Sequence, residues 1–101
     1  MSQKTKIVDD QMQVVLAGTI YVQEAKVIGA KLIKLIDKGQ TSLLIDLSQV
    51  DYIDSFGLGM LVSMQKLALE SNGGIKIKGI RGCVKKMFEV TRLTEMFEIQ
   101  Q

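Results

Sequence analysis

Along the chain the spacing of apolar positions changes period several times, and each change marks a new element. Thr5 to Val8 predicts a short strand, Asp9-Asp10 a turn, and Met12 to Ala17 (MQVVLA) a second strand ended by Gly18, so that the two form a hairpin. From Val22 to about Lys38 the period turns helical. Val22, Ala25, Ile28, Gly29, Leu32, Ile33 and Ile36 recur three and four apart, with polar residues between them and Gly39 as a stop. Leu43 to Leu47 (LLIDL) is nearly continuous apolar sequence, the pattern of a central strand covered by helices.

The motif "VDYIDSFGLG", Val50 to Gly59, follows that strand. A second helix is predicted from Leu58 to about Ser71, closed by Asn72-Gly73-Gly74. Ile75, Ile77 and Gly79 then alternate with Lys76 and Lys78, as in a strand with one wet face. Val84, Met87, Phe88 and Thr91 set a third helix over Gly82 to Arg92, and Met96 to Ile99 reads as a last short strand. The order β-β-α-β-α-β-α-β predicts an α/β fold with a mixed, mostly parallel sheet. The lysines on the Ile75 strand put the helices on one face. Residues 1–101 make a single domain, with no repeat or linker.

Within the second helix, Leu58, Leu61, Val62, Ala68 and Leu69 share one side at 100° per residue, while Met60, Met64 and Leu67 gather on roughly the other. A helix apolar on both sides either packs internally twice or offers one side to a partner. Methionine suits an adaptable contact, and both readings stay open.

Composition narrows the chemistry. Apolar residues are 47% and charged residues 24%, an ordinary globular balance. No apolar run approaches the roughly 20 residues of a membrane span, and no basic-then-apolar leader opens the chain, so the expected location is cytoplasmic. A lone cysteine, Cys83, fits a reducing compartment. The net charge of +2 is too small to predict nucleic-acid binding. Histidine is absent, which removes the commonest general base and metal ligand together.

Ser55 follows a turn and opens a helix, but D-S-F-G is not a nucleophile elbow, and no histidine can take its proton. No catalytic residue is therefore assigned. Asp46, Asp51 and Asp54 match no calcium loop and read as turn and cap residues, so no metal site is assigned. Gly57 and Gly59 lack the Lys-Ser/Thr that would complete a phosphate loop. They are expected to let helix and sheet approach closely, and no cofactor is expected. The basic stretch Lys76, Lys78, Arg81, Lys85 and Lys86 has no interleaved aromatic and reads as a solvated face.

Ser55 itself has two readings. It is a helix N-cap, or, if Asp54 caps instead, its hydroxyl is free to accept a phosphate. A phosphate there adds about −1.5 to −2 charges beside Asp51 and Asp54, at the positive end of a helix dipole.

The run "LLIDLSQVDYIDSFGLGMLV", followed by "GGIKIKGI" and "VKKMFEVTRL", resembles the STAS domain family, and within it the single-domain bacterial anti-sigma-factor antagonists. The resemblance covers about Thr5 to Ile99 and implies the STAS fold. It implies a non-enzymatic regulator in which Ser55 is phosphorylated by its partner, an anti-sigma factor that is an ATP-dependent serine kinase. The unphosphorylated form binds that kinase and frees the sigma factor, and a phosphatase restores the serine. The implied partner surface comprises Tyr21, Asp54, Ser55, Phe56, Gly57 and Gly59, with Met60, Met64 and Leu67 beside them. In "GTIYVQEA" Tyr21 stands where the family carries Asp, and Phe56 replaces a small residue after the serine. These departures favour the alternative of a STAS subunit of a stressosome-type scaffold or transporter-associated complex. A nucleotide-binding or hydrolytic role is disfavoured by the missing phosphate loop and histidine.

Overall fold

The computed structural model describes residues 3–8 and 11–100, with side chains described from Gln11 onward. The predicted Asp9-Asp10 turn lies outside the described residues. The elements are β1 (Gln3–Val8), β2 (Gln11–Ile20), α1 (Val22–Asp37), β3 (Ser42–Ile53), α2 (Ser55–Glu70), β4 (Gly74–Lys78), α3 (Gly82–Val90), a 3-10 turn at Leu93–Glu95 and β5 (Glu98–Gln100). The strands lie side by side in the order β1-β2-β3-β4-β5. β1 pairs antiparallel with β2, and every other neighbouring pair is parallel. The predicted order and the mixed, mostly parallel sheet are both present.

The three crossovers step across the sheet in one direction. Right-handed connections of that kind place α1, α2 and α3 on the same face. The core lies beneath them. Val14 and Leu16 of β2, Leu43, Ile45 and Leu47 of β3, and Ile75 and Ile77 of β4 point into one cluster with Ile28, Leu32, Leu61 and Phe88 from the helices. The alternate positions form the wet face, where Asp46 pairs in register with Lys78, and Leu44 with Lys76. Leu44 is buried yet lies outside the main cluster, as its opposite direction requires.

β2 and β3 are longer than their apolar runs predict. Gly18 does not end β2. It adopts φ +87° within the strand, beside register shifts, and pairing with β3 resumes through Thr19–Tyr52 and Ile20–Ile53. A β-bulge absorbs the irregularity, and glycine alone takes that φ without strain. On its other edge β4 stops pairing at Asp46. There the start of α3 covers β3: Arg81 Nε donates to the Ser48 carbonyl at 2.7 Å, and Cys83 Sγ donates to the Asp51 carbonyl at 3.1 Å. Polar Ser48, Gln49 and Asp51 hide this half of β3 from a hydrophobicity reading because one side of it faces water.

α2 begins three residues earlier than predicted, and its buried stripe is Leu58, Leu61, Met64, Gln65 and Ala68. Leu69, predicted on the packed side, is 56% exposed. α3 ends at Val90 rather than Arg92, whose left-handed φ of +61° breaks the helix. β5 begins two residues later than predicted, at Glu98, because a 3-10 turn takes up the chain before it.

Candidate functional site

In a sheet of this topology the carboxyl ends of the parallel strands are the usual place for a site. Here β2 ends at Ile20 and β3 at Ile53, and Tyr21 and Asp54 follow as the N-caps of α1 and α2. The Asp54 N–H donates to the Ile20 carbonyl at 3.0 Å, which ties the two strand ends together. Tyr21 N–H donates to Glu24 Oε1 at 2.9 Å, so the glutamate closes the first turn of α1.

At the head of α2 the cap is Asp54. Its Oδ1 accepts the Gly57 N–H at 2.9 Å. Asp54, not Ser55, therefore holds the cap: Ser55 is the first helical residue, outside the cap, with an exposed side chain. Gly57 makes this geometry possible. A Cβ on it would lie 2.4 Å from Ile53 Cγ1 and 3.1 Å from Ile20 Cγ2, so any side chain would push α2 off the strand ends. Gly59 is different. A Cβ there would meet nothing within 4 Å, which removes close packing as its reason.

Exposed aromatic rings stand at the same strand ends, where Tyr21 and Tyr52 flank the caps and Phe56 follows Ser55. Phe56 is 63% exposed and Tyr21 54% exposed. Tyr21 packs on half-exposed Tyr52 with ring centroids 5.8 Å apart and planes inclined by 53°. The chain has only five aromatic residues, and these three stand in water at one end of the molecule. The other two, Phe88 and Phe97, meet in the core at 6.2 Å. Exposed aromatic clusters of this kind mark contact surfaces.

Between α1 and α2 runs an open groove of about 710 Å³. Ser55 and Phe56 stand at one end of it, Ile33 lies farther along α1, and Lys26, Gly29, Gly59 and Met60 line it between. Met60 lies over Gly29, where a Cβ would approach its Cγ to 3.1 Å. The methionine side of α2 thus packs largely on α1. Met64 is buried in the core and also lines the groove, while Leu67 is exposed and outside it.

A family model described as Mlab, STAS domain matches residues 4–99. The chain belongs to the STAS domain family. Among curated relatives, the anti-sigma-B factor antagonist of Bacillus subtilis is 33% identical over 91 residues, covering 90% of this chain and 83% of that protein. A candidate anti-sigma factor antagonist of Thermotoga maritima has the same architecture, with a TM-score of 0.88 at 26% identity over 98% of this chain and 86% of that one. The Bacillus cell fate determinant SpoIIAA, solved in its phosphorylated form, shares the fold, with a TM-score of 0.77 at 17% identity over 99% and 92% of the two chains.

In this STAS domain the structure gathers Tyr21, Asp54, Ser55, Phe56 and Gly57 at one end, and Gly59 and Met60 along the adjoining groove. Tyr52 and Lys26 join them without having been singled out from the sequence. Tyr52 lies between the predicted Leu43–Leu47 strand and the second helix, where no element is assigned from the sequence, and Lys26 reads as one more charge on the wet side of α1. Asp51 pairs with Arg81 at 3.9 Å. Lys76 pairs with Glu98 at 3.4 Å, so part of the basic stretch is engaged within the fold. Among the described residues no group of His, Cys, Asp or Glu is arranged to hold a metal, and no helix is long and apolar enough to cross a membrane.

Proposed function

We propose that this STAS domain is an anti-sigma-factor antagonist switched by phosphorylation of Ser55. The observation that carries the reading is the division of labour at the head of α2: Asp54 holds the cap, and the neighbouring hydroxyl is left exposed beside the exposed ring of Phe56. The domain binds an anti-sigma factor that is a serine kinase and so releases the sigma factor. The kinase transfers the γ-phosphoryl group of its own ATP to Ser55 Oγ, and the serine proton leaves to a base on the kinase. This chain supplies the acceptor and its placement and needs no catalytic residue or cofactor of its own. A phosphatase removes the group by hydrolysis.

The phosphate would meet the positive end of the α2 dipole, so the fold tolerates it. Its −1.5 to −2 charges would land among rings that otherwise shed water easily onto a partner, and the contact would weaken. Tyr21, Tyr52 and Phe56 form the apolar part of this surface and set which partner fits. Their bulk also supports the second reading, a STAS subunit of a larger scaffold or transporter-associated complex that uses the same end of the molecule.

Incubation with ATP and the cognate kinase tests the proposal. Wild-type protein takes label and Ser55→Ala takes none. Ser55→Asp binds the kinase at least about tenfold more weakly, the effect of a like-charge penalty near 1.4 kcal/mol. Label retained on Ser55→Ala overturns the assignment.

A further inference from the structure

We infer that the groove between α1 and α2 is a binding site for an amphiphilic monocarboxylate, an aliphatic chain with one anionic head. Three observations point to it. First, the space of about 710 Å³ falls within the range of small-molecule sites. Its open length on α1, from Val22 to Ile33, is about 16 Å at 1.5 Å per residue, which suits one extended chain.

Second, the groove is kept open by what its residues lack. Gly59 faces it with no side chain and nothing within 4 Å of where a Cβ would stand. Gly29 lets Met60 lie flat, 3.1 Å from its own missing Cβ. Larger residues at either position would close the space between two parallel-running helices. Phe56 and Ile33 supply apolar walls that are otherwise exposed to water without a partner.

Third, the charge is one-sided. Among the described residues Lys26 is the single ionised side chain lining the groove, beside the hydroxyls of Ser55 and Ser63, and no carboxylate lines it. Lysine can lay its methylene stem on the apolar wall and hold its ammonium at the rim. A groove that is mostly apolar and carries one cation fits a ligand that is mostly apolar and carries one anion.

The site does not depend on Ser55 being a phosphoacceptor, and binding and labelling can each fail alone. The test uses the whole chain and straight-chain carboxylates from hexanoate to dodecanoate, with the matching alcohols, followed by backbone amide NMR titration. Affinity should rise about fourfold per added methylene, and level off once the chain overruns the groove. Shifted amides should map to the facing turns of α1 and α2. The carboxylates should bind more tightly than the alcohols, and Lys26→Gln should erase that preference while leaving the alcohols unchanged. Gly59→Leu, which fills the groove from an exposed position, should abolish binding of both. Lack of dependence on chain length, a preference that survives Lys26→Gln, or shifts elsewhere on the surface would overturn the inference. So would a series that never binds while the same amides shift on addition of the kinase, which would give the groove to a protein partner.

Discussion

Ser55 and Gln65 stand ten positions apart on one helix, each a neutral polar residue in an apolar stretch, and the fold treats them oppositely. Gln65 is 5% exposed. Its Oε1 accepts the Ile75 N–H at 2.7 Å, and its Nε2 donates to the Met96 carbonyl at 3.0 Å and the Ile75 carbonyl at 3.4 Å. One amide thereby joins α2 to the start of β4 and to the turn before β5. Ser55 is exposed, and the cap it might have formed belongs to Asp54. A buried polar group must be satisfied by its own fold. An exposed one released from local bonding is available to other molecules. The two ends of α2 therefore divide into structure and chemistry.

The largest effect should come from the structural end. Gln65→Ala strands a buried N–H and two carbonyls and removes packing, so unfolding free energy should fall by about 3 kcal/mol. In thermal melts of a domain this size that is a drop of more than about 10 °C. A drop under a few degrees would mean that water replaces the amide and that Gln65, like Ser55, is dispensable to the fold.

Next comes the close approach at the head of the helix. Gly57→Ala places a methyl 2.4 Å from Ile53 Cγ1, against side chains with no room to yield, and should cost about 2 kcal/mol by overpacking. Gly59→Ala two residues on meets nothing and should stabilise by about 0.5–1 kcal/mol through helix propensity alone. Opposite signs from the same substitution, read by urea denaturation, are expected if Gly57 is packed and Gly59 open. Equal signs would mean that the two positions do not differ in packing.

How far this division could be read from the sequence follows from the same physics. The strand and helix order was legible because burial on one face imposes a period. The second half of β3 was not, since Ser48, Gln49 and Asp51 belong to a strand half-covered by β2 and by the head of α3. The cap was legible as a choice between Asp54 and Ser55, and only geometry could decide it. Gly57 was rightly assigned to close packing and Gly59 wrongly, because spacing cannot tell which glycine of G-x-G faces the sheet. Gln65 was missed although it falls at i+4 on the Leu58-Leu61-Ala68 stripe. A polar residue on such a stripe is the available signal. Lys26 was missed because a surface lysine carries no signal until a groove is found beside it.

The cap itself gives an intermediate effect. Asp54→Ala removes the acceptor for Gly57 N–H and a favourable charge at the α2 N-terminus, and should cost about 1 kcal/mol. Asp54→Ser should recover much of this in a melt. Recovery would identify the hydrogen bond rather than the charge as the main contribution.

The smallest stability change is expected at Ser55, and it is the most telling. Ser55 is exposed and lies outside the cap, so Ser55→Ala should change unfolding free energy by less than about 0.5 kcal/mol. The same variant should lose all kinase-dependent phosphorylation. A residue that matters to the partner and not to the fold is the signature of a surface switch. A loss of 1 kcal/mol or more would instead make Ser55 a second cap shared with Asp54. The hydroxyl would then be engaged in the resting protein, and a kinase would have to break that bond before it could reach the oxygen. Thermal melts and labelling of the one variant, run side by side, separate these two arrangements.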